Sequence, residues 1–470
     1  MERRKDASPA PAPVARGAGE SVSESLRINF GAGALGMAIV LNTLAGILAP
    51  FMTNFLGIGA ATVALLLLVS KLYDMVTDPL MGVLSDRTRT RWGRRRPFLF
   101  LGGIVTAAGF ILIFNPPQLD HSPALLNAWV LGALLLTYTG YTLFNVPYLA
   151  MPAEMTTHYH ERTALMSWRT VFINVGALLA FFSFALVEWL GNDRQAHGVM
   201  GLIFAALIAG GSIYCFFGLA SARQTTAARL AHKPSIWRQI RTIATNRPLM
   251  NLLGAKLCQL LGLAASGSAG VYFKVVILKM SYTQTTWFLV VNVLVILAAI
   301  PLWNRVSRRH GKRLAYMIAT SCFALTVSTW LLATAADPLS YIFARAVFLG
   351  FFASGVIIMG AALLPDAVEY DYITTGLRRE ATMSAFYATV EKLAFAAGPA
   401  LALLMLGAFG YQSGTEGMQI EQPESAIKAI YVTAGLAPAL LYGLSLVFLA
   451  KYDLTEEKLK AARAASAAAG

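Results

Sequence analysis

Charge is scarce in this chain. Asp, Glu, Lys and Arg make up 13% of its 470 residues, about half the share of an average soluble domain. With 57% hydrophobic residues and a mean hydropathy of +0.59, it has too little polar surface to cover a globule in water, so its solvent is largely lipid. Cysteine is scarcer still. Cys215, Cys258 and Cys322 each sit inside an apolar run without a CxxC pairing, which argues against disulfides and zinc and for three buried small side chains. The 39 Gly and 19 Pro show no period, which excludes a collagen-like fold. No H-E-x-x-H, G-x-S-x-G or Gly-rich phosphate loop occurs, which disfavours a membrane-embedded enzyme or an ATP-driven pump.

What the chain does have is base: 38 Lys and Arg against 24 acids, a formal charge of +14. The bases crowd into short loops between apolar runs and form no continuous face, so nucleic-acid binding is not expected. A spanning helix needs about 20 apolar residues. Twelve such runs can be read, at 27–53, 59–84, 97–114, 124–150, 165–189, 199–220, 249–276, 284–304, 313–334, 340–364, 382–409 and 427–450. The expectation is an all-α membrane protein with a disordered polar cytoplasmic tail at 1–26, six-span bundles at 27–220 and 249–450, a cytoplasmic linker at 221–248 and an Ala-rich cytoplasmic tail at 451–470. No removable signal peptide is expected.

Twelve spans put both termini on one side of the membrane. The loops on that side are rich in base: Arg87, Arg89, Arg91, Arg94, Arg95 and Arg96 at 87–96, and Arg223, Arg229, Lys233, Arg238, Arg241 and Arg247 at 221–248. The alternate loops are nearly bare of it, which makes the terminal side cytoplasmic. The two halves also echo each other. Asp86-Arg87 answers Asn304-Arg305, and Pro152-Ala153-Glu154 with Glu161-Arg162 answers Pro365-Asp366 with Arg379-Glu380. Two six-span halves about an axis along the membrane normal are the plan of major-facilitator transporters. The Gly82-x-x-x-Asp86-Arg87 turn resembles that superfamily's loop signature and suggests a cytoplasmic latch of Asp86, Arg87, Arg162 and Glu154 that holds in one of two states.

Ionisable residues inside a span are costly and mark function by default. The second span carries Lys71, Asp74 and Asp78, which lie within about 60° of one another on a helix. Two carboxylates one turn apart need a proton, a sodium ion or a cationic side chain to neutralise them. A structural ion pair with another span is the competing reading. Pro79 withholds an N–H from the carbonyl of Met75 and favours a kink. Arg169, Lys256, Arg345 and Lys392 are the intramembrane cations available, and Lys392 is the best counter-ion. Tyr141, Tyr148, Trp168, Tyr272, Phe386 and Tyr387 are aromatics placed to line a cavity or to pack. His158 and His160, at i and i+2, do not share a helical face and are not expected to bind metal.

The run from Lys71 to Pro97, with Asp74, Asp78, Pro79, Gly82, Asp86, Trp92 and Gly93, resembles the signature of the glycoside–pentoside–hexuronide:cation symporters, the melibiose-permease family. Asn145-Val-Pro-Tyr148, Glu161-Arg162-Thr163, Arg169 and Glu391-Lys392 are similar to its later motifs, and the likeness covers about 27–450. The resemblance implies coupling to Na⁺, H⁺ or Li⁺ through Asp74 and Asp78, with Thr77 and Thr142 as hydroxyl ligands. Lys392 and Lys71 are then the coupling and counter-ion residues, and Arg169 lies beside the sugar pocket. It further implies no cofactor beyond the coupling ion, a monomer, and a bacterial inner membrane. The chain departs from the family where it has Met37-Ala38, Asn145 and Leu149 in place of two acids and a Trp. Asn42, Asn145 and Asn174 remain as hydroxyl binders, with Tyr148, Tyr141 and Tyr387. A sugar or sugar acid is the expected substrate. A lysophospholipid or other amphiphile is the alternative, and a non-transporting membrane receptor the rival of another class.

Overall fold

A computed structural model describes residues 22–118, 122–156, 159–222, 246–375, 380–415, 420–454, 457–459 and 461. Most of the N-terminal tail, most of the 221–248 linker, His158, Arg379 and most of the end of the chain lie outside those residues.

Among the described residues, twelve helices are long and apolar enough to cross a membrane: α1 Glu24–Gly46, α2 Ala60–Arg87, α3 Arg96–Phe114, α4 Pro123–Pro152, α5 Glu161–Trp189, α6 Arg194–Gly218, α7 Arg247–Ile277, α8 Tyr282–His310, α9 Lys312–Leu332, α10 Leu339–Thr374, α11 Thr382–Ala408 and α12 Glu424–Lys451. Hydrocarbon offers backbone groups no partner, so each crossing segment must satisfy its own and becomes helical. Side chains close the helix starts. Ser23, Asp193 and Asn246 accept from the backbone N–H three residues on, and Ser281 forms a capping box with Gln284.

The expected first span breaks at Ile47 and resumes as a short helix, Leu48–Asn54. Pro50 there has no N–H to give the carbonyl of Gly46, which explains the break. The expected tenth span, ending at 364, instead runs through Pro365 to Thr375. Both α7 and α12 contain a π-helical turn, Phe273–Ile277 and Val432–Leu436.

The packing repeats. Helix α1 lies against α5 and α6, α3 against α4 and α6, and α2 against α4; in the second half α7 lies against α11 and α12, α9 against α10 and α12, and α8 against α10. Adding six to each number of the first set gives the second, which is a pseudo-two-fold relation. The halves meet mainly along α2–α11 and α5–α8, a pair the same relation exchanges. Close approach within the bundles relies on small residues. A Cβ on Gly140 of α4 would stand 2.3 Å from the backbone N of Thr106 on α3.

At the end of the molecule away from the termini the halves are stitched together. Gly414 N donates to Thr53 O at 3.0 Å, Ser413 Oγ to Ile58 O at 3.0 Å and Tyr411 Oη to Asn54 Oδ1 at 3.0 Å. Leu56 and Thr415 form an isolated bridge, and Thr53 Oγ1 lies 3.0 Å from Tyr272 Oη. Thr286 of α8 joins the backbone of α5, accepting from Ala185 N and donating to Phe181 O, both at 3.1 Å. Loop main chain and short polar side chains thus close that end.

Candidate functional site

The site begins on α2. Leu72, Val76, Leu80 and Val83 are exposed along one face of α2, which turns Asp74 and Asp78 to the other, and Asp74 is only 7% exposed. Thr142 of α4, buried, reaches both: its Oγ1 lies 2.9 Å from Asp74 Oδ1 and 3.1 Å from Asp78 Oδ1. A hydroxyl carries one proton and satisfies one carboxylate at a time. Two acids converging on it in a dry setting therefore need positive charge from elsewhere. Lys392 of α11 supplies part of it, donating its Nζ to Asp78 Oδ2 from the other half of the molecule. Lys71 places its ammonium 4.4 Å from the centre of the Tyr138 ring, a cation–π contact one turn from Asp74. Lys392 is 42% exposed although it sits midway along α11. Since α11 is wedged between α2 and α7, that exposure faces the space between the halves.

The remaining sequence-derived candidates divide. Tyr141, adjacent to Thr142, stands within electrostatic reach of Asp74, Asp78 and Arg169. Arg169 has a buried Nε with no hydrogen-bond partner among the described residues. Thr77 donates to its own helix, to Tyr73 O at 3.1 Å and Asp74 O at 3.2 Å. Asn42 donates to Ala38 O at 2.8 Å, Asn174 to Thr170 O at 2.8 Å, and Asn145 is half-buried three residues beyond Thr142. Tyr148 is buried, stacked on Phe30 at 4.5 Å, with its hydroxyl donated to Phe30 O at 2.7 Å, so it pins α4 to α1. Tyr387 packs among Leu249, Leu253, Ala367 and Met383. Of the other cations, Arg345 pairs with Asp337 at 2.7 Å in the α9–α10 loop, and Lys256 lies 3.6 Å from Glu391.

At the terminal end, Arg95 joins three groups. It donates to Asp86 at 2.9 Å, to Glu154 at 2.5 Å and to Ser85 at 3.3 Å, while Arg94 also donates to Glu154. Arg162 donates to Thr156 O at 2.9 Å, and Arg87 is exposed. The repeat reappears here. Asp366, the counterpart of Glu154, receives Lys312 at 2.7 Å. Sequence reasoning placed Arg94 and Arg95 only among topological bases. The equivalence of Glu154 with Asp366 was the signal that each needed a basic partner.

Two six-helix bundles related by a pseudo-two-fold, with a carboxylate pair and a lysine meeting at their seam, define a carrier of the major-facilitator type. The chain belongs to the MFS/sugar transport protein family, whose profile its residues 29–456 match. It is similar to the inner membrane symporter YicJ of Escherichia coli, 27% identical over 94% of this chain and 94% of that one. It is also similar to the glucuronide carrier protein homolog of the same organism, 27% identical over 88% and 89%. Among solved structures, the nucleoside transporter NupG superposes with a TM-score of 0.64 at 10% identity, covering 91% of this chain and 99% of that one, a likeness of fold alone.

Proposed function

We propose that the chain is a secondary active symporter that couples entry of Na⁺ or H⁺ to uptake of a sugar, glycoside or sugar acid by alternating access. The observation that carries this reading is the convergence of Asp74, Asp78 and Thr142 with Lys392 at the seam of the halves. Hard cations take oxygen ligands, and two carboxylates with a hydroxyl are such a donor set; a proton on one carboxylate meets the same charge requirement. A cation that binds Asp78 competes with Lys392 for it and so weakens a bond between the halves. Occupancy of the site and the freedom of the halves to move are thereby linked.

The basic loops support a cytoplasmic terminal side, in a bacterial inner membrane. The stitched end then faces outward, and the space around Lys392 opens inward. Arg169, with its unpaired buried Nε, suits an anionic group on the substrate, and the glucuronide carrier homolog named above is a relative of matching chemistry. A monomer is sufficient, since both halves of the seam come from one chain. The test is uptake into proteoliposomes of labelled sugars, sugar acids and lysolipids under an imposed sodium or proton gradient. Accumulation of a sugar or sugar acid that follows one of these gradients supports the reading. Accumulation of lysolipid alone, or indifference to both gradients, overturns it.

A further inference from the structure

At the level of the seam the spans carry three carboxylates: Asp74, Asp78 and Glu391. The three acids of α10, Asp366, Glu369 and Asp371, are set lower, with Asp366 tied by Lys312 and Asp371 by Asn246 Nδ2 at 3.1 Å. Asp74 and Asp78 are committed to Thr142 and Lys392. Glu391 is not. It immediately precedes Lys392 on α11, and consecutive helical residues diverge by about 100°, so it turns from α2 toward α7. There it meets Lys256, whose ammonium stands 3.6 Å from Glu391 Oε1 and 5.3 Å from the centre of the Tyr387 ring.

Two features set this pair apart from a structural salt bridge. It is loose, since 3.6 Å is ion-pair distance just beyond a hydrogen bond. It is asymmetric, with the lysine side chain 11% exposed and the glutamate 40% exposed, as an acceptor facing open space with a donor held behind it would be.

We propose that Glu391 and Lys256 form a substrate subsite in the C-terminal half that reads a pair of neighbouring ring hydroxyls, one donating to the Glu391 carboxylate and the next accepting from the Lys256 ammonium. An ion pair of this kind is neutral as a unit and offers an acceptor and a donor side by side, which matches a vicinal diol. It also supplies a carboxylate apart from the cation site, where α1 from Ile28 to Gly46 and α4 from Pro123 to Pro152 carry no acid. Because Glu391 and Lys392 are consecutive, one helix holds the substrate contact and the cross-half bond to Asp78. A shift of α11 on substrate binding is felt at the cation site.

This subsite rests on the sugar-symporter reading, and the experiment separates the two. Full-length protein in nanodiscs is titrated calorimetrically with methyl β-D-glucoside, methyl β-D-xyloside, methyl β-D-galactoside and D-glucuronate, in sodium and at acid pH. The tightest of the four then serves as probe for E391Q, K256M and the E391Q/K256M double variant, which leaves no unpaired charge. Cation binding is followed independently as the sodium- and pH-dependent thermal shift that Asp74→Asn removes. The expected result is a loss of at least tenfold in probe affinity in E391Q and in the double variant, with the cation-dependent shift retained. A double variant that binds the probe within twofold of wild type shows the pair to be structural and overturns the subsite alone. Wild-type protein that binds none of the four overturns the sugar reading and the subsite with it.

Discussion

Lys392 of α11 donates to Asp78 of α2 across the boundary between the two halves, midway along both helices. Breaking a partly buried pair by removing one partner costs more than the pair gains, because the orphaned charge stays in low dielectric. On the proposed reading, a cation arriving at Asp78 would replace the lysine without that penalty, whereas a mere loss of the lysine would incur it. The pair would then be a two-position contact, closed without the cation and open to exchange with it.

Thr142 is the only side chain seen bonded to both Asp74 and Asp78 among the described residues. Hydrogen bonds to charged groups contribute about 1.5–3 kcal/mol. Thr142→Ala should therefore raise the concentration of coupling cation needed for half-maximal uptake by roughly tenfold or more, and Thr142→Ser should restore it. Cation titration of uptake in proteoliposomes measures both.

Gly57 sits at the stitched end with φ +67°, and a Cβ there would stand 2.9 Å from Thr415 Cγ2. An L-residue in that conformation costs about 1–2 kcal/mol. Gly57→Ala should move population away from the state closed at this end by roughly tenfold. Distances between spin labels at Gly59 and Gln412, one on each half, should then show a growing long-distance fraction.

Gly140 has backbone as its nearest neighbour, with Thr106 N 2.3 Å from an added Cβ, so no flexible side chain is available to give way. Gly140→Ala should destabilise the N-terminal bundle by about 1–3 kcal/mol. A lower thermal unfolding temperature in detergent, without a change in cation response among molecules still folded, is the expected outcome.

Asp337, in the loop after α9, accepts from Arg345 at 2.7 Å and Thr334 at 3.2 Å, and the Arg345 hydrogen bond holds its carboxyl below the usual carboxylate range. A depressed folded-state pKa contributes stability above the unfolded value of about 4 and loses it as pH falls through the folded value. Because the loop is open to solvent, Asp337→Asn should cost no more than about 1 kcal/mol at neutral pH. The difference from wild type should vanish in melting curves taken progressively below pH 4.

Much of this architecture was legible in the residues, for a physical reason. Every crossing helix must show its apolar length locally, so twelve runs stand out, and a carboxylate pair such as Asp74 and Asp78 is conspicuous because lipid penalises it. What depends on which helices are neighbours was not legible. Nothing local marks Arg95 as the one arginine of six that joins Asp86 to Glu154, nor Glu391 as facing Lys256 135 positions away. The stitched end was invisible for another reason: its contacts use the main chain of Thr53, Ile58 and Gly414, which carries no residue-specific signature. Tyr148 shows the converse, an aromatic that read as a cavity candidate and whose ring and hydroxyl are both engaged by Phe30.

The most direct test replaces Asp74 and Asp78 by Asn, singly and together, and measures substrate accumulation by proteoliposomes under an imposed sodium or proton gradient. The account predicts that each single variant reaches the membrane in normal amount and loses gradient-driven accumulation, and that no choice of cation rescues the double variant. Undiminished accumulation by the double variant under either gradient would contradict it.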